Sequence, residues 1–284
     1  MKFDIRPLTE TFSAEIVGLD LSKPMSDDDF DLLRRAFFEK SVLVIRDQHI
    51  EPADQIDFSR RFGELLIHVL DQFQLPGHRE ILVLSNDKQA DGGAVGFEDA
   101  GRYWHSDLSY KQTPSLATML YAHDIPPTGG DTMYVDMYRA YDSLPENTKQ
   151  RIDGRRAYHS YTRNYDRNES VKGIRPKLTA DQKAKLQDVL HPMVRTVMDT
   201  GRKALYVNSG FTYRIEGMED EEGTELLEEL FEHCLKPELR YIHKWRRHDY
   251  VCWDNRSTIH HATLYDSAHR RHMHRTTIED NRPV

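Results

Sequence analysis

Between Asp27 and Lys40 the apolar residues Phe30, Leu33, Phe37 and Phe38 recur at helical spacing behind the polar start Ser26-Asp27, which predicts an amphipathic helix. The pattern then changes character. Ser41 to Arg46 is a short, nearly continuous apolar run of strand length, and Ile81 to Ser85 reads the same way. Between them, Glu51 to Phe62 predicts a second helix closed by Gly63. Lys88 to Gly101, rich in Gly, Asp and Ala, breaks the periodicity and is expected to be a mobile loop. Strands are expected at Ser115 to Ala122 and Thr132 to Val135, joined by the turn Pro126-Pro127-Thr128-Gly129-Gly130. Further strands are expected at Ala204 to Asn208, Leu239 to Trp245 and Tyr250 to Trp253. Helices are expected at Arg139 to Leu144, Thr179 to Leu190 and the strongly charged Asp220 to Cys234. No repeat, low-complexity tract or long linker divides the chain, so residues 1–284 are expected to form one domain. Strands dominate where the unusual residues lie, which predicts a mainly β fold with flanking helices (α+β), its core a β-sandwich or jelly roll.

Composition narrows the partners. The 284 residues are 38% hydrophobic and 30% charged, with 39 Lys and Arg against 47 Asp and Glu, a formal net charge of -8. That sign argues against unspecific attraction to nucleic acid, yet a few local arginines suffice to hold a small anion. The opening MKFDIRPLTE resembles no secretory signal, and no aliphatic run approaches the roughly 20 residues needed to span a bilayer. The two cysteines, Cys234 and Cys252, form neither a CxxC pair nor a disulfide framework. A soluble, cytoplasmic protein is the expectation.

Candidate chemistry begins in Trp104-His105-Ser106-Asp107. Residues two apart on an extended strand share a face, so His105 and Asp107 can converge on one ion. Two histidines and one carboxylate on a triangular face leave open positions on Fe(II) for a bidentate keto acid and O2. The spacing alone is unspecific: among 15 histidines it recurs in His49-Ile50-Glu51 and His78-Arg79-Glu80. A second histidine is offered by Trp253-Asp254-Asn255-Arg256-Ser257-Thr258-Ile259-His260, beside a buried strand. His260 and His261 face opposite ways on an extended backbone, so at most one of them points at a metal.

Several ordered motifs resemble the taurine/2-oxoglutarate and 2,4-dichlorophenoxyacetate dioxygenase family: FGELLIH (Phe62 to His68), WHSD (Trp104 to Asp107), GGDT (Gly129 to Thr132), RIEGM (Arg214 to Met218), WDNRSTIH (Trp253 to His260) and RRHMHRTT (Arg270 to Thr277). They span nearly the full chain. The resemblance implies a distorted double-stranded β-helix (jelly roll, cupin-like), His105, Asp107 and His260 as iron ligands and catalytic residues, and Fe(II), 2-oxoglutarate and O2 as cofactor and cosubstrates. It leaves His261 and both decoys outside the site, and suggests a homodimer or homotetramer.

Arginine is suited to a carboxylate clamp because its planar fork makes paired, charge-assisted hydrogen bonds. On a C-terminal strand Arg271 and Arg275 share a face and Arg270 faces away. The resemblance implies Arg271 and Thr132 for the distal carboxylate of 2-oxoglutarate, and Arg275, His68 and Phe211 for a small anionic substrate. A taurine-like sulfonate is favoured, with an aryloxyalkanoate, alkyl sulfate ester or other carboxylate as alternative. Two departures bear on that choice. Val69-Leu70-Asp71 replaces an aromatic residue after His68, and Gly101-Arg102-Tyr103 replaces an asparagine and polar neighbours before the iron histidine, with Arg102 either binding an anion or capping the loop. The rival classes are a cupin-like zinc hydrolase or isomerase and a binding protein with a vestigial site; Asp107 speaks against a halogenase, which needs that position free for halide.

Overall fold

The computed structural model describes residues 3–68, 71–98, 101–163 and 186–283. The first helix runs from Asp27 to Lys40. Ser26 caps it by accepting the Asp29 N–H at 3.2 Å, three aspartates occupy its first turn, and Ser41 leaves it in the left-handed conformation. Of its buried stripe, Leu33, Phe37 and Phe38 join the core against the main sheet and Phe30 packs edge-on to Phe62. Each such side chain contributes about 1.5–3 kcal/mol on leaving water. The second helix, Pro52–Arg60, begins with a proline behind Glu51, whose backbone N–H is accepted by Asp54 at 2.9 Å.

Both helices cover one face of an eight-stranded sheet. Its order is Asp4–Pro7, Ala14–Val17, Val42–Ile45, Tyr250–Asp254, Ser115–Asp124, His272–Glu279, His78–Ser85, Gln74–Leu75. The central strands read as continuous apolar runs because both of their faces are covered. Ala117, Met119, Tyr121, Tyr250 and Cys252 pack toward the helices, whereas Leu120, Ala122, Val251, Trp253 and Met273 pack the other way. On that inner side lies a three-stranded sheet, Arg240–His243, Thr132–Asp136 and Thr258–Ala262, with Thr132–Asp136 in the middle. Tyr134 from it meets Trp253 of the large sheet, ring centroids 5.6 Å apart. The candidate site sits at the end of this interlayer core.

A further three-stranded sheet joins Thr212–Ile215, Arg156–His159 and Val189–Pro192, and a hairpin joins Val194–Val197 to Arg202–Leu205. The helix Asp220–Cys234 packs over this half through Leu226, Leu227 and Leu230. The architecture is therefore mainly β with flanking helices, as the sequence predicts. Three local expectations differ. The helix expected over Thr179 to Leu190 lies outside the described residues up to 185, and its end is the start of the strand Val189–Pro192, where alternating Val189 and His191 are buried. The strand expected at Ala204 to Asn208 sits earlier, at Arg202–Leu205, because its hairpin pairs Val194 with Leu205. Between Lys88 and Glu98 the chain is no open loop: it folds back on itself, with Gln89 bonded to Gly93, Val95 to Asp87 and Phe97 to Val83; residues 99 and 100 lie outside the description.

Candidate active site

His105 and His260 come from distant segments and are joined by backbone. The His105 N–H donates to the His260 carbonyl at 3.0 Å and the His260 N–H returns the bond at 2.8 Å. This exchange puts the two imidazoles side by side, centroids 4.1 Å apart. Asp107 follows on the same face, with Oδ1 3.6 Å from His105 Nε2 and Oδ2 3.9 Å from His260 Nε2. One ligand atom from each of the three lies within 4.8 Å of the others, and this is the one such group among the described residues. All three are buried, at 6%, 4% and 6% exposure.

The donor set suits one divalent ion. His105 Nδ1 lies 2.8 Å from the Tyr103 carbonyl, which can only accept; Nδ1 therefore carries the proton and Nε2 keeps its lone pair for a metal. Burial opposes charge on Asp107, but its neighbours, the Arg275 guanidinium first among them, outweigh it and hold the carboxyl well below the usual range. Burial first, then the neighbouring His105, holds His260 well below the usual histidine value, so it is neutral and able to ligate.

The surroundings lock these side chains. Thr118 donates its hydroxyl proton to Asp107 Oδ2 at 2.6 Å. Asn255 Oδ1 accepts from the Asp107 N–H at 3.2 Å and from Trp253 Nε1 at 3.0 Å, while its Nδ2 donates to Ser115 and Thr118 hydroxyls at 3.0 Å each. His261, one residue on, turns its ring to Trp104 at 5.4 Å. The decoys are elsewhere: His49 stacks against His248, and Glu80 pairs with Arg60.

Two arginines approach from the C-terminal segment. Arg275 Nη1 lies 3.6 Å from Asp107 Oδ1, and its Nε donates to Thr277 at 3.1 Å. Arg271 does not lie on the strand as expected. It directly precedes His272–Glu279, whose register shifts between His272 and Met273. Even so, Arg271 turns inward and Arg270 outward: Arg271 is 9% exposed with no hydrogen-bond partner on Nε, while Arg270 pairs with Asp87 and Asp124. Thr132 is buried in the inner sheet and accepts from Trp245 Nε1 at 3.0 Å.

Phe211 stands edge-on to His105, centroids 6.1 Å apart, and belongs to an aromatic group with Tyr103, Tyr110 and Tyr161. His68 is within electrostatic reach of Arg275, Lys111 and Asp107; burial first, then Arg275, lowers its pKa to about 4. Asp71 is exposed at the start of a 3-10 turn, and Val69 and Leu70 lie outside the described residues. Sequence reasoning did not single out Thr118, Tyr110, Tyr161 or Lys111, and it quoted Asn255 without a role. Tyr110 alone carried a local signal, three residues beyond Asp107.

Residues 4–277 match the family described as "Taurine catabolism dioxygenase TauD, TfdA family". The chain belongs to this family. It is an Fe(II)- and 2-oxoglutarate-dependent dioxygenase, and its oxidation chemistry uses O2. It is 34% identical to an alpha-ketoglutarate-dependent 2,4-dichlorophenoxyacetate dioxygenase of Cupriavidus pinatubonensis, the match covering 98% of each chain. It is 33% identical to a pentalenolactone F synthase of Streptomyces avermitilis over 94% of this chain and 91% of that one. Among solved structures, AAD-2 in complex with Mn(II) and N-oxalylglycine superimposes with a TM-score of 0.82 at 32% identity, covering 100% of this chain and 99% of the other. Among the described residues, no helix is long and apolar enough to cross a membrane.

Proposed function

We propose that this dioxygenase hydroxylates a small organic anion with a flat, apolar body, of which an aryloxyalkanoate is the type. In this reading His105, Asp107 and His260 hold Fe(II), Arg271 and Thr132 hold the distal carboxylate of 2-oxoglutarate, and Arg275 receives the substrate anion. The bound iron with 2-oxoglutarate and O2 supplies the oxidant, the keto acid leaving as succinate and CO2. The protein's part is positioning and exclusion of water. Asp107 stays ionised beside Arg275, His260 stays neutral, and the buried walls keep the reacting carbon next to the metal rather than next to solvent. The architecture of two facing sheets supports a double-stranded β-helix, and the continuous inner core from Val42 to Met273 supports one domain across the chain.

The observation that carries the substrate class is the aromatic group beside the metal triad. Tyr110 lies 4.8 Å from both Tyr161 and Phe211, and Phe211 abuts His105. Such a wall stabilises a planar apolar body through edge and face contacts, each worth about 0.5–1.5 kcal/mol, and offers little to a two-carbon ammonium sulfonate. The competing reading, a taurine-like sulfonate, rests on His68 near Arg275, since a neutral imidazole N–H can donate to a sulfonate oxygen. A single assay separates the two. The Fe(II)-loaded enzyme is supplied with 2-oxoglutarate and a panel of aryloxyalkanoates, alkyl sulfonates and sulfate esters, and O2 uptake is measured together with succinate release. The expected result is coupled turnover that is fastest with aryloxy acids. Faster turnover of sulfonates than of any aryloxy acid rejects the aromatic reading.

A further inference from the structure

The C-terminal strand His272–Glu279 carries a pair of histidines that the metal triad does not use. His272 and His274 stand two apart and share the outer face, while Met273 between them turns into the inner core. Their ring centroids lie 5.3 Å apart, and His272 Nε2 is 3.3 Å from His274 Nε2. That separation fits a shared ion. Two nitrogens bound at about 2.0–2.1 Å and a tetrahedral angle stand roughly 3.3–3.4 Å from each other.

Each imidazole is also held from behind, as metal-bound histidines are. Asp87, paired with Arg270, places Oδ2 2.9 Å from His272 Nδ1; the carboxylate can only accept, so Nδ1 carries the proton and Nε2 presents its lone pair. His274 Nδ1 lies 2.9 Å from His123 Nε2, the two rings 4.0 Å apart. When His274 donates from Nδ1 to His123, its own Nε2 is free as well. This relocates protons within neutral rings and releases none. Burial, reinforced by His123 and His272, lowers His274 to about 3, so near neutral pH no proton competes for that nitrogen. His123 and His272 are half-buried, which leaves the pair open to solvent on one side. The nearby cations are already engaged, Arg270 by Asp87 and Asp124 and Arg247 by Asp124.

We propose that His272 and His274 form a second metal site, on the face of the sheet away from the triad, for a late first-row divalent ion of the Zn(II), Ni(II) or Cu(II) kind, with Asp87 and His123 orienting its ligands. Two protein nitrogens leave the remaining positions to water, so this site is weaker than the triad. Its imidazole donors favour those ions over Mn(II), which stands lowest in the order of affinities for such ligands.

Titration of the metal-free protein with Zn(II), followed by calorimetry, tests the site without turnover. The wild-type chain is expected to bind two Zn(II), the weaker of them lost in His272→Gln and in His274→Gln, while a Mn(II) titration gives one ion in all three proteins. Asp87→Asn is expected to weaken the second Zn(II) about tenfold or more, and Asp107→Ala to leave it unchanged. His272 is the more exposed of the pair, so unaltered dichroism and Mn(II) affinity in His272→Gln establish that fold and triad are intact. A single Zn(II) in the wild-type chain overturns the proposal. So does a second Zn(II) that survives both His272→Gln and His274→Gln; its loss in His248→Gln instead assigns that ion to the His49 and His248 pair, whose rings lie 4.4 Å apart.

Discussion

The side-chain oxygen of Asn255 accepts the backbone N–H of Asp107, tying the first ligand segment to the strand that leads to the second. The same amide uses its remaining capacity on Trp253, Ser115 and Thr118, so both acceptor sites and both donors of Asn255 are engaged inside the core. Thr118 in turn holds Asp107 Oδ2. Asn255 is thus the hub that aims the carboxylate, and its loss leaves several buried partners unsatisfied. Asn255→Ala is expected to cost about 2–4 kcal/mol of stability, at ~1–3 kcal/mol for each buried group left without a partner, and to weaken metal binding about tenfold or more. Urea unfolding and a Mn(II) titration check both. A variant with wild-type metal affinity shows that Asp107 needs no such support.

Metal removal is expected to leave the fold intact. The two histidines are held by reciprocal backbone hydrogen bonds, and Asp107 by Thr118 and Asn255, none of which requires an ion. Chelation is therefore expected to leave the near-ultraviolet dichroism unchanged while lowering the thermal midpoint. Mn(II) at a hundredfold excess over its dissociation constant contributes about 2.7 kcal/mol by mass action. Asp107→Ala is expected to abolish that shift at the same concentration, and a persisting shift places the ion elsewhere.

The two inward arginines are expected to separate kinetically. Arg275 lies 3.6 Å from Asp107, whereas Arg271 is packed among Gly130, Tyr265 and the inner sheet. Arg275→Ala is expected to raise the KM of the primary substrate tenfold or more, a loss of about 1.4 kcal/mol or greater, with a lesser effect on 2-oxoglutarate. Arg271→Ala is expected to do the reverse. Steady-state kinetics with each substrate varied in turn decide it, and indistinguishable effects reject the division.

Which parts of this arrangement were legible in the chain follows from the range of the interactions. The helices Asp27–Lys40 and Asp220–Cys234 announce themselves because their apolar period is local, the first also through its Ser26 cap. The strands Val42–Ile45 and Tyr250–Asp254 are visible as apolar runs because both faces are buried. His105 and Asp107 share a face by spacing alone, but the choice of His260 over His261 depends on register, with His260 opposite Tyr134 and bridged to His105. No local pattern states that. The hub at Asn255 joins residues 137 to 148 positions away, and the aromatic wall gathers Tyr103, Tyr110, Tyr161 and Phe211 from three segments. Arg271 falls outside its expected strand because its backbone N–H is taken by the Asn86 side chain at 2.8 Å rather than by a neighbouring strand's carbonyl.

The outer face of the large sheet carries a titratable chain remote from the metal triad. Asp87 meets His272 Nδ1 at 2.9 Å, His272 Nε2 meets His274 Nε2 at 3.3 Å, and His274 Nδ1 meets His123 Nε2 at 2.9 Å. With every ring neutral, a single set of tautomers satisfies all three contacts: His272 donates to the Asp87 carboxylate, His274 to His272, and His123 to His274. Burial, reinforced by the neighbouring imidazoles, lowers His274 to about 3 and His123 to about 4. His78 and His248 add to the positive surroundings, as does Arg247, while Asp124 opposes them and Arg270 is bound to Asp87. The sign follows from proton counting. The unfolded chain takes up protons on these histidines below their ordinary value of 6.5, whereas the folded one refuses them until about pH 4 and below. Their contribution is therefore intact above pH 6.5 and is lost progressively as pH falls through that window. Urea unfolding of the metal-free protein between pH 7.5 and 4 is expected to show falling stability, and His274→Gln, which keeps hydrogen-bonding capacity but cannot titrate, is expected to flatten the slope. An unchanged slope in that variant assigns the acid sensitivity to other buried groups, such as His159 or His191.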